Sequence, residues 1–160
     1  MSAWHGALLA LAVGATITGA RSVAAAPDAT LGKQVYEKAN CVGCHKWHGG
    51  GGGGYGGAAL SLRATQLDTE QMREVVRCGR PGTGMPYHGR EAYKDDSCYG
   101  MTKVDLGADA PPKAATFLRA EEIEAVVEYV AASIKGKGEP SYEDCIAFWG
   151  KGERQCDAMR

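Results

Sequence analysis

Two cysteines three positions apart, with a histidine directly behind the second, constrain this chain more than any other feature of its 160 residues: Cys41-Val42-Gly43-Cys44-His45. Thiols at that spacing can add to the two vinyl groups of one porphyrin while the next imidazole meets the iron from the same side. The pattern therefore predicts one covalently attached haem c, with Cys41 and Cys44 as anchors and His45 as an axial ligand. Two other chemistries use a bare C-x-x-C. A zinc site wants a second Cys or His pair at short spacing, and a thioredoxin-like redox pair wants a surrounding βαβ pattern. The sequence offers neither.

The amino terminus reads as an export signal. Met1 to Ala26 contains no acid, an apolar run from Ala7 to Ala20, and Val23-Ala24-Ala25-Ala26 before Pro27. The run is shorter than the roughly 20 residues that span a bilayer, which favours cleavage near Ala26 and no membrane span afterwards. No Lys or Arg precedes the run, so an uncleaved membrane anchor stays open as the alternative. The predicted organisation is a signal peptide at 1–26, one haem-bearing domain at 27–137 and a C-terminal extension at 138–160. Removing the signal leaves 134 residues and moves the formal charge from -1 to -2, which gives no reason to expect nucleic-acid binding. Leu31 to Lys103 holds ten Lys or Arg against seven Asp or Glu, and Val104 to Arg160 seven against eleven. Such asymmetry can steer a charged partner.

An exported protein enters an oxidising compartment, where the remaining Cys78, Cys98, Cys145 and Cys156 can pair. Short loops close at lower entropic cost, so proximity predicts Cys78 with Cys98 and Cys145 with Cys156.

Helical periodicity recurs along the chain. Leu31, Val35, Tyr36 and Ala39 share a face behind Thr30 as N-cap, predicting a helix that ends at Cys41. Gly49 to Gly57, glycine except for Tyr55, cannot hold regular structure and reads as a loop. A second helix begins at Asp68 or Thr69, carries Met72, Val75 and Val76, and stops before Gly79. Met85 to Pro112 is loop-like, with a Cys78–Cys98 bridge as its staple. A third helix spans Arg119 to Lys135 with Ile123, Val126, Val127, Val130 and Ile134 in one stripe. A short last helix carries Tyr142, Ile146, Phe148 and Trp149. No strand-like alternation of useful length is evident.

With these elements in order, the chain resembles the bacterial class I monohaem c-type cytochromes from Leu31 to about Lys135. Three segments carry the resemblance: Gly32-Lys33-Gln34-Val35-Tyr36 leading into Cys41 to His45, Gly82-Thr83-Gly84-Met85-Pro86 after a helix, and Leu118 to Ile123 leading to Glu128-Tyr129-Val130. It implies a mostly α, class I cytochrome c fold, three to five helices around one haem, here with a Cys-containing C-terminal extension. It also implies that Gly32 and Tyr36 meet Tyr129 and Val130 where the first and last helices cross.

The family pairs its histidine with a methionine, which raises the reduction potential. That implies Met85 as the second axial ligand, with Met101 as runner-up and His48 and His88 also possible. Met72 reads as a core residue and Met159 as a tail residue. Trp47, Tyr55, Arg63 and Tyr87 are candidates to border the haem or bind its propionates. Iron capped on both faces has no place for a substrate, so the expected role is that of a carrier and not an enzyme. The expectation is a soluble periplasmic shuttle of single electrons from a dehydrogenase to an oxidase or another cytochrome. A dedicated subunit of a larger periplasmic redox complex, for example with a quinoprotein alcohol dehydrogenase, is the alternative, and a small haem peroxidase a further one.

Overall fold

The spacing of Leu31, Val35 and Tyr36 winds into helix α1, Ala29–Lys38, in the computed structural model, which describes Met1, residues 29–54 and residues 57–160. The expected export signal and Tyr55 lie outside the described residues. Thr30 sits inside α1, so it is not the N-cap that its side chain suggested. The helix also stops earlier than expected. Asn40 takes a left-handed conformation (φ 60°, ψ 29°), which Asn tolerates better than most residues, so Cys41–His45 forms a separate short helix, α2.

The main core forms where α1 crosses α5, Ala120–Ser133. A Cβ on Gly32 would lie 2.2 Å from the Ala125 carbonyl oxygen and 2.5 Å from the Tyr129 Cβ, so the two backbones meet with room for hydrogen only. One turn on, the Tyr36 ring centre lies 5.7 Å from that of Tyr129. Val126, Val127 and Val130 fill the interior beside Val35. Glu122, buried at the start of α5, accepts the backbone N–H of Arg119 at 2.9 Å and the Lys38 ammonium at 2.5 Å, pinning the end of α1 to the start of α5. Those contacts, the Arg119 N–H foremost, hold its carboxyl down at about 2.

Helix α3, Thr69–Cys78, starts at an Asp68 N-cap closed by a reciprocal bond with Gln71. It lays Met72 into the core and pairs Arg73 with Glu124 of α5.

The stretch after α3 is more structured than its composition suggested. Tyr87–Gly89 (β1) and Lys113–Leu118 (β2) form a two-stranded parallel ladder, correcting the expectation of no strands. A three-residue strand shows no alternation to read, and only Ala114 and Leu118 of β2 are fully buried. Between the strands, Thr102 caps a single helical turn, α4 (Lys103–Leu106). The Cys78–Cys98 disulfide and Tyr93 make a second, smaller core, flanked by Tyr87, Tyr99 and Leu106.

Ser141 caps the last helix, α6 (Tyr142–Trp149), whose Cys145 bonds Cys156 in the 3-10 turn that follows. The extension is fastened to itself and also to the main body. Phe148 is buried in the main core, its ring centre 6.5 Å from Tyr36 and 6.0 Å from Trp47.

Two outcomes test this packing in the haem-loaded protein by urea unfolding. Gly32→Val forces the α1–α5 crossing apart and costs about 1–3 kcal/mol. Glu122→Gln costs about 1–2 kcal/mol at pH 7. Because the folded pKa of Glu122 lies below the ordinary 4.5, its contribution is complete above that value and fades as pH falls toward 2, where the variant and the parent converge.

Candidate functional site

Helices α1, α3 and α5 enclose one side of a cleft of about 410 Å³, and the chain from Leu60 to Leu67 closes another. Its wall is mainly aliphatic: Leu62, Leu67, Met72, Val76, Val126 and Val127. Into this apolar space reach Cys41 and His45 of α2 and Met85 of the turn after α3.

Cys41 and Cys44 are the free cysteines, the other four being joined in the two local disulfides. Burial pushes the Cys41 thiol up to about 12, so it is held protonated. Cys44, one turn on, is half-buried, with its sulfur beside Gly54. His45 Nδ1 lies 2.8 Å from the Leu60 carbonyl oxygen. A carbonyl only accepts, so the proton sits on Nδ1, and Nε2 of the neutral ring keeps its lone pair for a metal. Burial also lowers the pKa of the ring, which favours the neutral, ligating form.

The glycine tract is a clamp on α2. The N–H groups of Gly51, Gly53 and Gly54 donate to the carbonyls of His45, Cys44 and Gly43 at 3.2, 2.9 and 3.1 Å, satisfying acceptors that the short helix leaves open. Side chains would prevent this approach. A Cβ on Gly53 would stand 2.5 Å from the Cys44 carbonyl oxygen, and Gly51 and Gly54 have φ of 74° and 75°. The tract then leads to Leu60, whose carbonyl orients His45.

The other candidates lie elsewhere. Met101 bridges to Cys98 in the insertion, and Met159 is in the terminal 3-10 turn. His48 accepts the Gly50 N–H and borders a second groove beside Trp47 and Arg63, while buried His88 bonds the Thr116 carbonyl. Neither histidine lines the cleft. Trp47, Arg63 and Tyr87 also lie off it, in the packing and surface roles more usual for an aromatic or Arg in a loop, because each has other partners. Trp47 packs on Phe148, Arg63 donates to the Gly138 and His48 carbonyls at 2.6 and 2.9 Å, and Tyr87 packs on Tyr93 and Phe117.

Three features escaped the sequence reading: the Leu60 carbonyl, the clamp on α2, and Arg80. Among the described residues, Arg80 is the one Lys or Arg on the cleft wall, and its place between Gly79 and Pro81, just ahead of the Met85 turn, is the signal for it. Two thiols in one helical turn, a histidine with a free Nε2, a thioether and an apolar slot are a donor set and a cavity that fit a covalently bound haem. Among the described residues, no three His, Cys, Asp or Glu side chains gather as a metal site, and no helix is long and apolar enough to cross a membrane.

Compared with known proteins, residues 29–133 match the family model described as Cytochrome c, which takes in α1 to α5 and leaves α6 outside. No curated protein and no solved structure gives a match.

Gly53→Ala sets a methyl against the Cys44 carbonyl. It is expected to lower the covalently loaded fraction of protein, read as haem absorbance per polypeptide, and to cost about 1–3 kcal/mol of stability. Unchanged loading and stability would contradict the clamp.

Proposed function

The chain belongs to the cytochrome c family, which binds haem c covalently for electron transfer, and on that premise we propose that it is a periplasmic carrier of single electrons, exported by its first 26 residues. Cys41 and Cys44 would hold the haem covalently, and His45 and Met85 would ligate its iron. Bound there, it supplies an iron that passes between ferrous and ferric by one electron.

The observation that supports this reading best is that Cys41, His45 and Met85 line one apolar cleft while Met101, His48 and His88 do not. The residues divide the work. Leu60 holds His45 with Nε2 free, the aliphatic wall keeps water from the bound group, and Arg80 offers a cation to a propionate carboxylate. With His45 and Met85 both bound to the iron, oxygen or peroxide would find no open position, which supports a carrier over a peroxidase. Its donor is a dehydrogenase and its acceptor an oxidase or another cytochrome, met through small, short-lived interfaces.

A second reading rests on the two additions fastened by disulfides, the segment from Tyr87 to Pro112 and the extension with α6. They suit a dedicated subunit of a larger periplasmic redox complex, for example with a quinoprotein alcohol dehydrogenase. A partner that co-purifies at fixed stoichiometry from the native host supports this over the shuttle.

Absorption spectra of the ferric protein test the ligand set. Met85→Ala is expected to abolish the weak long-red band of thioether-ligated haem and Met101→Ala to leave it. The reverse would contradict the assignment, and a parent protein without that band but with rapid peroxide turnover would favour the peroxidase.

A further inference from the structure

Met85 stands on an irregular turn whose outer residues, Gly82, Thr83 and Gly84, are exposed. Inside the turn, the Arg80 N–H donates to the Met85 carbonyl at 3.2 Å, and the Thr83 hydroxyl donates to the Arg80 carbonyl at 2.8 Å and accepts the Met85 N–H at 3.2 Å. These bonds shape the turn without anchoring it. The anchors come from the segment that follows it. The Gly82 N–H donates to the Asp109 carbonyl at 2.8 Å, and the Tyr87 N–H to the Pro112 carbonyl at 3.0 Å. The Tyr99 hydroxyl donates to the Gly79 carbonyl at 2.7 Å, and the buried Tyr93 hydroxyl to the Cys78 carbonyl at 2.8 Å.

Gly79 is where these ties meet the methionine. Its φ is 67°, and a Cβ there would lie 2.8 Å from both the Met85 carbonyl oxygen and the Tyr87 nitrogen, so the backbone from Met85 to Tyr87 passes directly over it. The Cys78–Cys98 bridge fixes where Tyr99 stands relative to α3.

From this we infer that the segment between the two strands is a brace for the axial methionine, and that Tyr99 and Tyr93 are positioning residues that hold the Met85 turn against the cleft. The inference rests on the proposal that Met85 ligates the iron. An exposed turn held only by its own bonds would open readily and let the thioether leave. Ties at both of its ends, through Gly79 and Tyr87, and one at its tip, through Gly82, make that opening rare.

Imidazole is the probe, because it reaches the ferric iron only when Met85 has left. In the haem-loaded protein, Tyr99→Phe removes one tie and is expected to raise the apparent affinity for imidazole about ten-fold. A Cys78→Ser, Cys98→Ser double variant should raise it further. Glu122→Gln loosens the fold away from the turn and should leave imidazole affinity at the parent value, which separates a brace from a general loss of stability. If Tyr99→Phe folds, keeps the long-red band and binds imidazole like the parent, the brace is refuted while Met85 ligation stands. If the parent lacks that band and Met85→Ala binds imidazole no more tightly than the parent, the ligand assignment itself fails, and the brace with it.

Discussion

At the crossing of α1 and α5 the two backbones touch because Gly32 presents no side chain to Ala125 and Tyr129. The groups around the cleft take their places from that contact. With α1 held there, Tyr36 lies buried beside Tyr129 and its hydroxyl reaches the Lys46 carbonyl just past α2 at 2.9 Å. That bond ties the exit of the cysteine-bearing turn to the helix before it, while Val126, Val127 and Val130 of α5 give the cleft its floor. A wider crossing would move the floor away from α2 and open a gap in a core whose contacts are short-ranged.

The cofactor end of the molecule is built mostly from backbone. Helix α2 is too short to satisfy its own carbonyls, and the glycine tract supplies the missing donors from a distance that only glycine permits. Three residues past the tract, the Leu60 carbonyl orients His45. A change in the path of the tract would disturb Cys44 and His45 together.

Much of this could be read from residue order. The stripes on α1, α3, α5 and α6 follow from apolar residues at helical spacing, and the disulfides join the four cysteines outside the motif to their nearest neighbours in sequence. Cys41, Cys44 and His45 carry their own signature. Met85 was separated from Met101 by family likeness, and the structure adds that Met85 alone of the two lines the cleft. What stayed hidden depends on long-range backbone geometry. Three residues, Tyr87–Gly89, are too few for a period to show, and their partner lies beyond a whole insertion. Glycine composition announces a loop but not which carbonyls it will meet. Arg63 has the right chemistry for a propionate, yet the fold turns it toward the Gly138 and His48 carbonyls and leaves Arg80 at the cleft.

The account stands on thioether bonds from Cys41 and Cys44 to a single porphyrin. Intact-mass and peptide mass spectrometry of the protein made in a host that matures c-type cytochromes examines those bonds directly. The predicted result is one haem mass on the peptide spanning Cys41 to His45, with neither thiol open to alkylation. An unmodified peptide in which both thiols alkylate would contradict it.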